Sequence, residues 1–231
     1  MGVIEVTYTQ DLGIRVRTCV LSLILDSEIE QSYASKLRGY VGSRFRDFQI
    51  LHNHIGDLGY VYSYPLVQYK VISGHPIIIG VGAGAEAVKI VAEELDSVLM
   101  GGRRYKILSK KIEDEEHRLG PLDGSAVYEF LSPWLALNKE NYGRYSGREP
   151  KGRILRRVLI GNVLSLCKGL SHQVRTRLRG AVFVKEVRVE YKGVPMIGFT
   201  GRFIINYELP PLLGLGKGVS QGFGTFMRVA L

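Results

Sequence analysis

The order of strand-like and helix-like patterns in the first half of the chain limits it to few folds. Apolar residues in alternation or in short runs predict strands, and apolar residues every three or four positions predict helices. The patterns predict a strand over 13–25, a helix starting at the Ser27–Glu30 capping pair, strands over 60–73 and 75–81, a helix that follows Gly84 and ends at Gly101–Gly102, and a strand over 105–109. This β-α-β-β-α-β order predicts a ferredoxin-like domain over residues 1–118.

The remaining residues, 119–231, repeat this order with one change. Their patterns predict a strand over 127–137, a polar loop over 138–150, a helix over 152–169, strands over 181–191 and 197–207, and a closing strand over 225–229. The acidic residues 112–116 are predicted to form a solvated turn or a strand end. A glycine-rich segment stands where a second helix is expected. The chain is therefore predicted to be an α+β protein with two tandem ferredoxin-like domains.

Residues 214–224, the glycine loop, contain two glycine–hydrophobic–glycine triplets separated by five residues. Glycine adopts backbone angles closed to other residues and lets a backbone or a ligand approach closely. We expect such a loop to expose N–H groups, which suit the phosphates of a polyanion. The loop residues predicted to contact this backbone are Gly214, Gly216, Lys217, Gly218, Ser220, Gln221, Gly222 and Gly224. A long hairpin connection before the last strand is the alternative.

The charge of the chain also indicates an acidic partner. Its formal net charge is +9, and nucleic acid is the commonest partner of so basic a protein. The densest basic group, predicted to bind phosphates, comprises Arg153, Arg156, Arg157, Lys168, Arg175, Arg177 and Arg179. A membrane surface is the competing interpretation, but no stretch approaches the roughly 20 apolar residues of a spanning helix. Without a recognisable signal peptide, and with Cys19 and Cys167 in apolar runs, we expect reduced thiols and a cytoplasmic location.

His52 and His54 are the strongest catalytic candidates. They follow a basic helix, and side chains two positions apart in extended backbone project to the same side. Imidazole, with an ordinary pKa near 6.5, can act as a base or an acid near neutral pH, as RNA cleavage by its own 2′-hydroxyl requires. Tyr60 or Tyr62 could donate a hydrogen bond to the phosphate or position a histidine. The alternatives are exposed histidines without a role, or two ligands of a metal site.

The spacing of the glycine loop resembles the signature loop of the RAMP superfamily, in particular the CRISPR-associated endoribonucleases that cut precursor repeat RNA. In that family the loop also lies just before the last strand, and the order of elements is similar along nearly the whole chain. The resemblance is closest to members that use paired histidines with a nearby tyrosine. It implies that His52 and His54, assisted by Tyr62 or Tyr60, form the catalytic site.

The resemblance also implies an activity and a partner. These are metal-independent cleavage of CRISPR repeat RNA without a cofactor, leaving a 5′-hydroxyl and a 2′,3′-cyclic phosphate or 3′-phosphate. It leaves open a homodimer and association with effector-complex proteins, and it implies no membrane partner. The main alternative is a non-catalytic RNA-binding subunit of an effector complex, which would keep the glycine loop and the basic residues but need no histidines. An unrelated basic binding module is the third hypothesis.

Overall fold

A computed structural model of the chain describes residues 11–52 and 64–230. Its elements are β1 (Ile14–Leu25), α1 (Tyr33–Arg44), α2 (Gln49–His52), β2 (Val67–Ile72), β3 (His75–Val81), α3 (Gly84–Glu94), β4 (Ser97–Met100), β5 (Arg103–Trp134), α4 (Lys139–Tyr145), α5 (Lys151–Gly169), β6 (Gly180–Tyr191), β7 (Val194–Glu208) and β8 (Phe226–Arg228). The eight strands form one curled antiparallel sheet. Among the described helices, none is both long and apolar enough to cross a membrane.

Each half of the chain arranges four strands in the same lateral order. In the first half β1 and β3 are central, with β2 at one edge and the first part of β5 at the other. In the second half β5 and β7 are central, with β6 and β8 beside them. The first and third strands are thus inside in both units. This confirms the predicted α+β fold with two ferredoxin-like units.

A single strand of 32 residues, β5, joins the two units. Its ladder with β1 extends to Leu119, and its ladder with β7 begins at Gly120. The last strand of the first unit is therefore continuous with the first strand of the second unit. The predicted boundary between residues 118 and 119 lies inside β5 and stays a prediction.

The core of the first unit lies between its helices and one face of the sheet. The expected apolar stripe of α3, which includes Val88 and Val91, is buried there against odd-numbered β1 residues such as Leu21 and Leu23. The second core packs α5 against the sheet of the second unit and also includes Val16 and Val20 of β1. Because successive strand residues point to opposite faces, these valines extend the second core onto the other face of the first sheet. The two units are therefore packed together.

The acidic residues 112–116 were predicted to form a turn or a strand end, which is wrong. They lie in the middle of β5, where Asp114 is the ladder partner of Cys19. The Asp114 carboxylate accepts hydrogen bonds from Arg17 at 2.8 Å and contacts the Lys89 ammonium at 2.5 Å. Hydrogen bonds from these two cations hold the pKa of Asp114 well below its ordinary value. Arg17 of β1 and Lys89 of α3 thus neutralise the Asp114 carboxylate and let this acidic residue remain in the middle of a strand.

The predicted polar loop over 138–150 contains a helix, α4. The Asn138 side chain accepts a hydrogen bond from the Asn141 N–H at 2.7 Å and so caps its first turn. Tyr145 at its end is buried, with its hydroxyl 2.5 Å from Glu186 of β6. The sequence pattern did not predict α4, because this helix is held in place by the contact of Tyr145 with Glu186, 41 residues further along the chain.

Two predicted boundaries in the first unit are also wrong. α1 begins at Tyr33, and the Ser27 hydroxyl of the expected capping pair is buried without a hydrogen-bond partner among the described residues. α3 ends at Glu94, and the extra strand β4 follows. Gly101 and Gly102 form the turn of the β4–β5 hairpin, both with positive φ, and do not end the helix.

Candidate nucleic-acid interface

The predicted catalytic residues lie within or directly before residues 53–63, the internal segment that the structure does not describe. α2 ends at His52, whose side chain is not described. The predicted catalytic residues that lie outside the described part of the chain are His54, Tyr60 and Tyr62. Their assignment therefore stays a prediction. The nearest described side chains before and after this segment in the chain are those of Leu51 and Tyr64.

Tyr64, the first described residue after this segment, is anchored on the glycine loop. Its buried hydroxyl donates to the Gly214 carbonyl at 2.9 Å and accepts from the Gly214 N–H at 3.2 Å. Burial raises the pKa of Tyr64 well above its ordinary value. Because the hydroxyl stays protonated, it can donate and accept at once. The segment that contains His54 is thus followed directly by a fixed contact with the glycine loop, which the sequence did not reveal.

The glycines of this loop are required by its conformation. Gly216, Gly218, Gly222 and Gly224 all have φ between +64° and +87°. A Cβ on Gly224 would lie 2.0 Å from the carbonyl oxygen of Leu215. The loop therefore folds back on itself so closely that only glycine fits.

The backbone of the glycine loop is mostly used inside the protein. The Lys217 N–H donates to the Leu135 carbonyl at 3.0 Å, and the Gly224 N–H donates to the Pro133 carbonyl at 2.9 Å. Further loop N–H groups with internal acceptors are those of Gly214, Leu215, Gln221, Gly222 and Phe223. The expectation that the loop exposes its N–H groups is wrong for these residues. What it presents to solvent are side chains, with Lys217 exposed and Ser220 and Gln221 partly exposed.

The tip of the glycine loop packs against the first unit, next to α1 and β2. Its short 3₁₀ turn, Val219–Gln221, is followed by Gly222, where a Cβ would lie 3.0 Å from the Ala34 Cβ and 3.2 Å from the Tyr69 carbonyl oxygen. The loop thus reaches from the second unit to the helix that precedes the predicted histidine pair.

A groove of about 600 Å³, the helix groove, lies between the loop tip and α1–α2. Gln221 lines it from the loop, Arg38 and Arg46 from the first unit, and Leu51 next to His52. Ser35, Gly39 and Ser43 lie four residues apart on α1 and also line the groove, so this face of the helix leaves room. A Cβ on Gly39 would meet no atom within 4 Å. The groove therefore combines positive charge with open space beside Leu51, the residue that precedes His52 in the chain.

A second groove of about 380 Å³, the cleft groove, continues from the first between the two units. The two grooves share Ser35 and Gln221 among their lining residues. On the far side the cleft groove is lined by Tyr191 and Lys192 of the β6–β7 hairpin and by Phe223 of the glycine loop. Gln221 therefore lies at the junction of one continuous surface depression.

The seven predicted phosphate-binding residues of the second unit lie on other elements. Arg153, Arg156, Arg157 and Lys168 are exposed on α5, whose neighbours are β6 and α4. Arg175, Arg177 and Arg179 are exposed on the connection between α5 and β6. Arg157 is paired with Glu149 at 2.7 Å. The seven residues thus lie on one helix and on the connection that follows it, and their role in binding stays a prediction.

The connection after α5 is fixed by a polar cluster around Asp11 that the sequence did not reveal. Asp11 accepts hydrogen bonds from the Arg175 N–H at 3.1 Å and from the Tyr207 hydroxyl at 3.1 Å, and His172 Nε2 lies 2.6 Å from that hydroxyl. Burial alone would raise the pKa of Asp11, but hydrogen bonds from the Arg175 and Gly13 N–H groups and from the Tyr207 hydroxyl contribute to a net lowering of the pKa. His172 is thus part of a structural cluster that orients the basic connection.

Lys70 of β2 is a fully buried lysine that links the first unit to the end of the glycine loop. Its ammonium lies 3.0 Å from the Thr225 hydroxyl and 3.0 Å from the Gln68 side-chain oxygen. Burial lowers the pKa of Lys70 from 10.5 to about 7. Among the described residues it forms no ion pair, so it is a polar tether between β2 and the loop.

Acidic, histidine and cysteine side chains do not converge on a metal-binding arrangement within residues 11–52 and 64–230. Cys19 and Cys167 are both buried and unpaired. Burial raises the pKa of the Cys167 thiol to about 12, which disfavours the reactive thiolate. The described candidates for chemistry are therefore the grooves and the residues that border the predicted histidine pair.

Comparison with known proteins shows where this architecture occurs. The family model of the Cas6b N-terminal domain matches residues 14–118, and that of the Cas6b C-terminal domain matches residues 122–229. An uncharacterized protein of Methanocaldococcus jannaschii is 36% identical over 131 residues, which cover 55% of this chain and 89% of that protein.

Two solved structures are similar over most of the chain. A crystal structure of Cas6b is 34% identical, covers 94% of this chain and 100% of its own, and superposes with a TM-score of 0.87. A crystal structure of the CRISPR RNA processing endoribonuclease Cas6b is 30% identical with the same coverage and a TM-score of 0.75. The sequence identity, the coverage and the shared fold together show that the chain belongs to the Cas6b family.

Proposed function

We propose that this chain is an endoribonuclease that cleaves CRISPR precursor RNA within its repeats. The observation that carries the proposal is its similarity, over 94% of its length, to a CRISPR RNA processing endoribonuclease of the Cas6b family. The described residues that flank the predicted histidine pair in the sequence support the proposal, because Leu51 lines the helix groove and Tyr64 is bonded to the glycine loop.

The RNA would lie in the helix groove and the cleft groove. Arg38 and Arg46 supply positive charge near the predicted catalytic segment, and Lys192 supplies it at the other end of the cleft groove. Gln221 at the junction is a side-chain donor and acceptor for ribose or phosphate. In this proposal the glycine loop acts mainly by holding Gln221 and Lys217 in place, since much of its backbone is bonded internally.

The proposed reaction is transesterification by the RNA itself. One imidazole of His52 and His54 takes the proton of the 2′-hydroxyl, and the 2′-oxygen attacks the adjacent phosphorus. The bond to the 5′-oxygen breaks, and the other imidazole protonates that oxygen. The products are a 2′,3′-cyclic phosphate and a 5′-hydroxyl. Each proton transfer contributes typically about 10²- to 10⁴-fold, and Tyr62 or Tyr60 would stabilise the phosphate or orient an imidazole.

A cleavage assay with labelled repeat RNA tests this mechanism. We expect full activity in excess EDTA and a loss of at least about 10²-fold in the cleavage rate for each of His52→Ala and His54→Ala. His117→Ala is the matched control, because this histidine lies on β5, away from the grooves. A 2′-deoxy substitution at the cut site should abolish cleavage and leave binding intact.

The outcomes separate the proposed mechanism from its alternatives. Cleavage that requires added metal, or that survives the double histidine substitution, contradicts the mechanism. Tight binding of repeat RNA by the wild-type protein without any cleavage would instead favour a non-catalytic RNA-binding subunit. Binding of duplex DNA and repeat RNA with equal affinity would favour an unrelated basic module.

A further inference from the structure

A third groove, the hairpin groove, lies on the second unit between α4 and the β6–β7 hairpin and has a volume of about 690 Å³. This is within the range of roughly 300–1,000 Å³ that is usual for small-molecule sites. It shares Tyr191 and Lys192 with the cleft groove and no lining residue with the helix groove, so it continues the same depression on the side away from the helix groove. The sequence patterns did not indicate it, because its walls come from three separate parts of the chain.

Basic side chains line the hairpin groove. They are Lys139, Arg188, Lys192 and Lys217, and none of the described lining residues is Asp or Glu. Within the described part of the chain none of these four side chains pairs with a carboxylate. The contrast with α5 is direct, since Lys151 and Arg157 there are paired with Glu186 and Glu149. An anionic ligand would therefore supply charges that the protein does not.

The groove also offers aromatic and apolar surface. Tyr142 of α4 is 51% exposed, and its ring packs on no other aromatic ring among the described residues. The Tyr191 ring is held by an edge-on contact with Phe223 at 5.7 Å between centroids. Val194 is 57% exposed, and Pro195 lines the groove beside it. Exposed apolar surface of this kind suits a flat base better than a bare phosphate.

The hairpin holds these groups in fixed positions. Lys192 and Gly193 both have positive φ, at 54° and 75°, as a two-residue type I′ turn requires. The turn makes Tyr191 and Val194 direct cross-strand partners. The Lys217 ammonium lies 5.0 Å from the centroid of the Tyr191 ring, so the glycine loop and the hairpin meet at this ring. The site is thus formed before any ligand binds.

We propose that the hairpin groove binds an unpaired nucleotide of the RNA, with the base stacked on Tyr142 and the phosphates contacted by Arg188 and Lys139. The inference rests on the proposed function, because the occupant is taken to be part of the same RNA strand that lies in the cleft groove. A paired stem is disfavoured, because its bases stack on one another and would leave the apolar surface uncovered. Stacking with charge contacts is the usual mode of binding single-stranded RNA.

Binding measurements with labelled repeat RNA test the two parts of the site. Tyr142→Ala should weaken binding by about 10-fold, the typical effect of losing one stacked base. Phe183→Ala, which removes an aromatic side chain of β6 that is 62% exposed and lines none of the grooves, should leave it unchanged. Arg188→Ala should reduce the slope of log affinity against log salt by about 0.7, and the matched control Lys185→Ala on the same strand should not.

A second readout locates the nucleotide. 2-Aminopurine placed at one unpaired position at a time should show quenched fluorescence at one or two adjacent positions with the wild-type protein and with Phe183→Ala. The quenching should disappear with Tyr142→Ala. Thermal unfolding of each variant verifies that it is folded.

The outcomes distinguish this inference from the proposed function. If the wild-type protein neither binds nor cuts repeat RNA, the proposed function is wrong. If it binds and cuts, but Tyr142→Ala and Arg188→Ala behave like their controls, the hairpin groove does not bind RNA and only this inference is wrong. If a second protein protects the groove and the RNA does not, the occupant is a partner protein, and the inference is equally overturned.

Discussion

Replacing Lys70 by methionine is expected to stabilise the protein near neutral pH and to change how its stability depends on pH. The Lys70 side chain is fully buried, and burial lowers its pKa from 10.5 to about 7. At about 1.4 kcal/mol per pKa unit, this corresponds to about 5 kcal/mol by which burial of the charged form disfavours folding. Methionine has a similar shape and no charge, so it removes that cost.

The pH dependence follows from the direction of the shift. Below pH 7 the lysine is protonated in both the folded and the unfolded state, so the whole cost is present. Between pH 7 and 10.5 the unfolded state binds more protons, so the stability of the wild-type protein rises with pH. The difference in free energy of unfolding between Lys70→Met and wild type should therefore fall by about 3 kcal/mol from pH 6 to pH 9.

At any single pH, the difference in free energy of unfolding between Lys70→Met and wild type is smaller than the full cost of about 5 kcal/mol. Thr225 and Gln68 lose a hydrogen-bond partner in the variant, which costs about 1–3 kcal/mol. Each keeps another bond, Thr225 to the Gly222 carbonyl and Gln68 to the Pro65 carbonyl. The change of the difference with pH is therefore a sharper test than its size.

Urea unfolding followed by circular dichroism at several pH values measures this difference, provided that the transition is two-state. Taking the difference removes contributions common to both proteins, such as that of the Cys167 thiol, whose pKa burial raises to about 12. Lys106→Met is the matched control, because Lys106 is an exposed lysine of β5. A difference for Lys70→Met that stays constant from pH 6 to pH 9 would refute the argument that the folded protein releases this proton.

Three further substitutions test local features of the fold. Gly161→Ala in the middle of α5 should stabilise the protein by about 0.5–1 kcal/mol in urea unfolding, because a Cβ there meets no atom within 4 Å. In the same assay Gly224→Ala should destabilise it by more than about 2 kcal/mol, because φ is +64° and the Cβ would lie 2.0 Å from the Leu215 carbonyl oxygen. Asp11→Asn should cost about 1–3 kcal/mol at neutral pH. Folding lowers the pKa of Asp11, so the ionised carboxylate stabilises the protein at pH values above its ordinary pKa of 3.8. This stabilisation is lost as the pH falls through the lowered pKa of the folded state. The free energies of unfolding of wild type and Asp11→Asn should therefore become equal in acid.

The sequence predicted those elements whose apolar pattern is local. The strand expected over 75–81 is β3, with the same bounds, and the helix expected over 152–169 is α5, which begins one residue earlier. The errors occur where a distant residue decides the structure. The acidic residues of β5 remain in a strand because Arg17 and Lys89 bind Asp114, and no neighbouring sequence signals this.

The sequence predicted the glycine loop of the candidate site, but it did not predict how this loop is positioned against the rest of the protein. The glycine spacing correctly indicated a loop before the last strand, because positive φ and close packing leave a clear sequence pattern. That the loop bonds to Tyr64 and approaches α1 depends on contacts between residues about 150 positions apart. The buried Lys70 and the hairpin groove left no pattern, because an exposed and a buried lysine look alike in a sequence.

The continuity of β5 has a consequence for how RNA would enter the cleft between the units. Many two-domain proteins open by rotation about a flexible linker, but here the connection is a strand bonded to β1 up to Leu119 and to β7 from Gly120. A hinge at this point would break ladder hydrogen bonds and expose the core that the two units share. The grooves should therefore keep the same shape with and without bound RNA. Adaptation to different RNA sequences would then fall to the RNA, which would have to bend and unstack to fit the proposed site.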